Sequence, residues 1–119
     1  MAAPNIVNVQ AIYGGTSVQQ LTITPTAILT NSAGSSNVIK LNNLIVSNIN
    51  TTTNISVTVD LFRSATSYPI SYLITVPLSS SLVVIGKDTS IYLQEGDAIR
   101  TSATLNNSLV AVCSYETIS

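Results

Sequence analysis

Glu95 and Asp97 flank Gly96, and two carboxylates at that spacing in a turn could share a proton as an acid/base pair. They could also hold a hard cation such as calcium. Two carboxylates with no further Asp, Asn or Glu nearby make a poor cation site, however, so solvated turn charges are the favoured reading. Asp60 falls on the polar parity of its stretch beside Arg63, which suggests an exposed ion pair of small worth. Serines are plentiful, but the sequence contains no histidine, no G-x-S-x-G elbow and no supported S-x-x-K. Cys113 has neither a histidine partner nor a basic neighbour to make it nucleophilic, and its strand context suggests a small buried hydrophobe. No phosphate-cradling glycine loop occurs. These residues point to no catalytic residue, no metal site and no bound cofactor. Tyr13, Tyr68, Tyr72, Tyr92 and Tyr115 are the remaining candidates, as a platform that stacks on sugars. Tryptophan, the usual companion there, is absent, and such tyrosines more often cap a core with the hydroxyl in water.

The composition explains why so little chemistry is on offer. Only 8% of the 119 residues are charged, against roughly 25% in ordinary domains. Ser, Thr and Asn make up about a third of the chain and supply the polar surface. The net charge is −1 and the four cations are scattered, so phosphate neutralisation cannot drive nucleic-acid binding. A weakly charged surface gives little colloidal repulsion, which argues for a chain that sits in an assembly. The single cysteine excludes an internal disulfide. No run approaches the ~20 apolar residues that span a bilayer. MAAPNIVNVQ lacks the basic and apolar regions of a signal peptide, so synthesis in the cytoplasm is expected.

The elements that must carry these residues are strands. β-Branched residues abound, Lys and Glu are scarce, and no stretch sustains helical apolar spacing. A small-residue arm, 1–5, precedes a single domain, 6–119. Strands are expected over 6–13, 16–24, 26–31, 38–49, 55–62, 70–76, 82–85, 91–93, 99–105 and 109–115, some of them parts of one strand. Gly14-Gly15 reads as a turn, and 63–69 as a loop carrying Tyr68. Ile55–Phe62 alternates most cleanly, with Ile55, Val57, Val59 and Leu61 on one face. About eight short strands with turn signals every 8–14 residues predict a single antiparallel all-β sandwich, jelly-roll or Ig-like. Five of the nine formally charged residues lie in Lys87–Arg100, a polar hairpin or corner around Gln94-Glu95-Gly96-Asp97. The expected contact surface combines Ala2, Ala3, Pro4 and Asn5 of the arm with Lys87, Asp88, Glu95, Asp97 and Arg100 of that corner and the loop residue Tyr68.

Several segments together resemble a family of small virion structural proteins of tailed bacteriophages, of the marine cyanophage type. They are NIVNVQAIYGGT, LNNLIVSNIN, ISVTVDLFRS, VCSYETIS and above all VPLSSSLVVIGKDTSIYLQEGDAIR. The likeness runs along nearly the whole chain. It implies a compact β-sandwich in or on the particle, without catalysis or cofactor, and carries over no functional residue by position. The expectation that follows is a capsid decoration (cement) protein, a homotrimer bound to the major capsid protein or another virion protein. The alternative is a tail, neck or fibre-associated module touching host glycans. A soluble carbohydrate-binding or hydrolytic domain is a third reading, from a different class.

Overall fold

A computed structural model describes residues 10–119. The arm 1–5 and the first half of the strand expected over 6–13 lie outside the described residues. Nine strands follow in order: β1 (Ile12–Gln20), β2 (Thr26–Thr30), β3 (Val38–Asn48), β4 (Ile55–Arg63), β5 (Thr66–Val76), β6 (Ser81–Ile85), β7 (Ile91–Leu93), β8 (Ala98–Ala103) and β9 (Leu109–Ile118). A single 3-10 turn, Lys87–Thr89, links β6 to β7. All pairings are antiparallel. One sheet runs β1-β9-β3-β6, with β7 also on β3; the other runs β2-β8-β4-β5.

This is the expected all-β sandwich, and the strand order selects between its two expected forms. In an Ig-like sandwich the first two strands share a sheet. Here β1 and β2 fall in different sheets, and the chain crosses between sheets at every connection except β4–β5 and β6–β7. That interleaving is the jelly roll.

The core lies between the sheets. Leu41, Leu44 and Val46 of β3 and Leu109, Ala111 and Cys113 of β9 face Val57 and Val59 of β4 and Ile99 of β8, all fully enclosed. Burying each of the large aliphatic side chains contributes about 2 kcal/mol. The alternation expected for β4 holds, with Ile55, Val57 and Val59 inward.

Two local expectations need correction. Gly14 and Gly15 are not a turn: both sit inside β1, paired with Glu116 and Tyr115. The Tyr115 ring lies over Gly15, where an added Cβ would be 2.7 Å from Cζ, so a bare backbone is what admits the ring. Residues 63–69 are not a loop either. Ser64 and Ala65 have φ of 52° and 59°, and Arg63 pairs with Thr66, which makes a two-residue hairpin of the primed type and puts Tyr68 in β5. Of the hairpin or corner expected over Ser90–Ala103, the structure forms the corner. β7 belongs to one sheet and β8 to the other, so Leu93 and Ile99 enter the core from opposite layers.

Candidate interaction surface

Two charges of the corner, Asp97 and Arg100, are held in internal pairs. Arg63 Nε and Nη2 donate to Asp97 Oδ1 and Oδ2 at 2.8 and 2.6 Å. The Gln94 amide donates to the same carboxylate at 2.8 Å. Asp97 is only 1% exposed, so it is not a solvated turn charge. The hydrogen bonds from Arg63 hold its carboxyl below the usual range against the opposing effect of burial. Arg100 Nε and Nη2 grip Asp60 at 3.0 and 2.7 Å, Ser67 donates to Asp60 at 2.6 Å, and the Arg100 guanidinium stacks 3.9 Å over the Phe62 ring. Burial alone would push Asp60 upward. The bonds from Arg100 and Ser67 outweigh it and leave the carboxyl below its ordinary value. The expected Asp60–Arg63 pair therefore does not form: cross-strand register sets Asp60 opposite Arg100. It leaves Arg63, on the following turn, to reach the corner.

The other expected contact residues are placed as follows. Lys87 and Asp88 are exposed on the 3-10 turn. Glu95 is half-buried and accepts the Ser36 amide at 3.0 Å. Tyr68 is exposed on β5. Ala2, Ala3, Pro4 and Asn5 lie outside the described residues. The structure thus brings Asp97 and Arg100 into internal pairs and sets Tyr68 on a different flank. Among the described residues there is no pocket and no cluster of three His, Cys, Asp or Glu.

The two flanks of the sandwich differ. On the β1/β2 flank, side chains stitch one sheet to the other. Ser17 Oγ donates to the Ile28 carbonyl at 2.7 Å, and Gln19 Nε2 to that of Ala27 at 3.0 Å. Thr101 Oγ1 donates to Gln19 Oε1 at 2.7 Å. On the β5/β6 flank no side chain bridges the two strands among the described residues. There β5 exposes Tyr68, Ile70, Tyr72, Leu73 and Ile74 within seven positions, with Tyr72 at 66%. Two register shifts against β4, and Leu73 at φ 49°, twist this strand so that residues of both parities reach solvent. A long apolar edge strand offers unpaired backbone and sticky side chains together. The sequence carried a signal for it, since Ile70, Leu73 and Ile74 are apolar on both parities, but that pattern is shared by strands covered on both faces.

Two buried asparagines were not legible at all. Asn31 donates to the carbonyls of Asn37 and Leu93 and accepts from Ser35, and its backbone bonds Asp97 and Gly96. Asn48 donates to Thr53 and Val76 and accepts from the Asn50 amide. Each pins a loop to the opposite sheet.

No family model and no curated protein matches this chain. A solved structure does: a chain from "Bacillus endospore appendages form a novel family of disulfide-linked pili" superposes with a TM-score of 0.54. The match covers 92% of this chain and 87% of that one at 13% identity, and it shows a shared fold alone. The one cysteine here is buried, and burial pushes its thiol up.

Proposed function

We propose that this chain is a structural subunit of a virion, held by protein–protein contacts, most specifically a capsid decoration protein arranged as a homotrimer on the major capsid protein. The observation that carries the reading is the unstitched flank, where five exposed apolar or aromatic residues crowd one edge strand. Such an edge suits a partner strand or a partner's apolar ridge. The resemblance to tailed-phage virion proteins supplies the setting. The pilus likeness supports a structural role, since that protein too is described as a component of an assembled appendage. Linkage by disulfides does not transfer, because the one cysteine, Cys113, is buried.

Exposure of both Tyr68 and Tyr72 on β5 favours a second reading, a tail, neck or fibre module that stacks on host glycans. Copy number and position in purified particles separate the two: many copies over the shell for decoration, a few at the tail for the alternative. The test of the surface is Tyr72→Lys with Ile74→Lys, which charges the edge without touching the core. The double variant should stay folded and fail to occupy particles that the unchanged chain fills. Occupancy equal to the unchanged chain would overturn the assignment of this flank.

A further inference from the structure

The outward face of the first sheet carries an apolar row that crosses β1, β9, β3 and β6. Val18 is in register with Val112, Val112 with Ile45, and Ile45 with Val83. Val18 and Val83 are 68% and 60% exposed, and Val112 is exposed too. The row on one side reads Thr16, Ser114, Asn43, with Ser114 bonded to Asn43, and the row on the other reads Gln20, Val110, Ser47, Ser81. Further along the strands a second row reads Gly14, Glu116, Lys40, Tyr92 in direct register. It brings charges of both signs to this face. Neither Lys40 nor Glu116 takes part in the two ion pairs among the described residues.

We propose that this face binds a second copy of the chain through a two-fold axis that runs parallel to the strands between β9 and β3. The four-strand order makes the argument. Such an axis exchanges β9 with β3 and β1 with the β6/β7 edge. Val112 then meets Ile45 of the second copy, and Val18 meets its Val83. The same operation sets Lys40 over Glu116 and Glu116 over Lys40, an alternating square of four charges. It also drops Tyr92 onto Gly14, above which the space is open, since an added Cβ there would meet nothing within 4 Å. One axis therefore matches apolar to apolar, plus to minus, and large to small, which is the self-complementarity an isologous contact requires. Sheet faces pack in this way at about 10 Å with strands nearly aligned.

The size of the face sets the strength. Four strands span about 19 Å, and the rows from Val110 to Glu116 about 24 Å, so each copy contributes about 450 Å². The total of about 900 Å² falls just under that of standard stable interfaces, so the contact is weak in free solution and gains from a lattice that holds copies together. It is separate from the β5 flank, and a homotrimer built elsewhere can use it to join its neighbours.

The test is the solution mass of the full chain by light scattering, up to about 1 mM, where a contact of this size is populated. The mass should double with concentration. Lys40→Glu alone and Glu116→Lys alone should each abolish the doubling, because each sets like charges face to face. An equal mixture of the two variants should restore it, since every contact across the axis is again between opposite charges. Val112→Thr, which keeps the β-branched shape, should weaken the association without charge change. Spectroscopy of each variant at low concentration confirms that it is folded. A mass that never doubles, single variants that associate like the unchanged chain, or a mixture that stays at the lower mass would each overturn the proposal. The edge variants Tyr72→Lys and Ile74→Lys should leave this doubling intact, so the two surfaces fail independently.

Discussion

The Arg63 guanidinium holds the Asp97 carboxylate by two parallel hydrogen bonds, 2.8 and 2.6 Å long, across 34 residues of sequence. This fork joins the β4–β5 turn to the corner where the chain passes from one sheet to the other. Asp97 reaches further through its backbone: its carbonyl accepts from Asn31, and the Gly96 amide donates back to the Asn31 carbonyl at 2.7 Å.

Arg63→Ala should cost about 2–3 kcal/mol. The loss exceeds the ~1 kcal/mol of an exposed pair, because Asp97 is left buried and charged. It falls below the roughly 3–5 kcal/mol of a fully buried pair, since the Arg63 side chain is itself 41% exposed. Urea unfolding measures it, and a change under about 0.5 kcal/mol would show the fork to be dispensable.

Acid should unfold the protein only below the carboxylate range. Asp60 and Asp97 both have folded values below the unfolded one of about 3.9, so their contribution is complete above that pH and is lost as pH falls through the folded values. With no histidine in the sequence, stability should be level from about pH 5 to 8. Chemical denaturation at stepped pH tests both statements. Arg63→Ala should flatten the acid limb.

Gly15→Ala should destabilise the fold by about 1–3 kcal/mol through overpacking against the Tyr115 ring. Tyr115→Leu in the same chain should recover part of that loss in a double-mutant cycle. Strict additivity of the two changes would mean that the close approach is harmless. Gly14→Ala, open above its Cα, should be tolerated in comparison.

Cys113 should resist thiol reagents in the native protein. It is buried, and its thiol is pushed up by that burial. Alkylation should proceed only as fast as the sandwich opens, and fast labelling of folded protein would contradict the packing.

Asn31→Ala should destabilise by about 2–3 kcal/mol, since it leaves the buried Leu93 carbonyl without its side-chain donor and frees the loop at 32–37. Amide exchange localised to that loop and to Gly96 would identify the cause.

Much of the fold was legible because period-2 patterns report a one-sided core directly. Val57 and Val59 declare their face, as do Ala111 and Cys113. Turns were less legible where the residues were atypical. Ser64-Ala65 makes a primed turn without Asn or Gly, so the hairpin hid in an apparent loop. Gly14-Gly15 carried the opposite error, since a glycine that admits a ring looks like one that turns a chain. The ion pairs were misread for a geometric reason. Asp60 and Arg63 are close in sequence, but β-register, which composition does not encode, gave each a distant partner. Asn31 and Asn48 look like polar residues at strand ends, and Asn106 like an ordinary turn asparagine. Only the folded chain shows that they anchor loops, as Asn106 does by accepting the Ile23 amide.

The stitched β1/β2 flank has a consequence for how far order can spread. Its Ser17 and Gln19 side chains occupy carbonyls at the rim of β2 that an incoming strand would otherwise use. Strand addition to the second sheet is thus steered to its other edge, β5. That sheet should therefore grow from one side only.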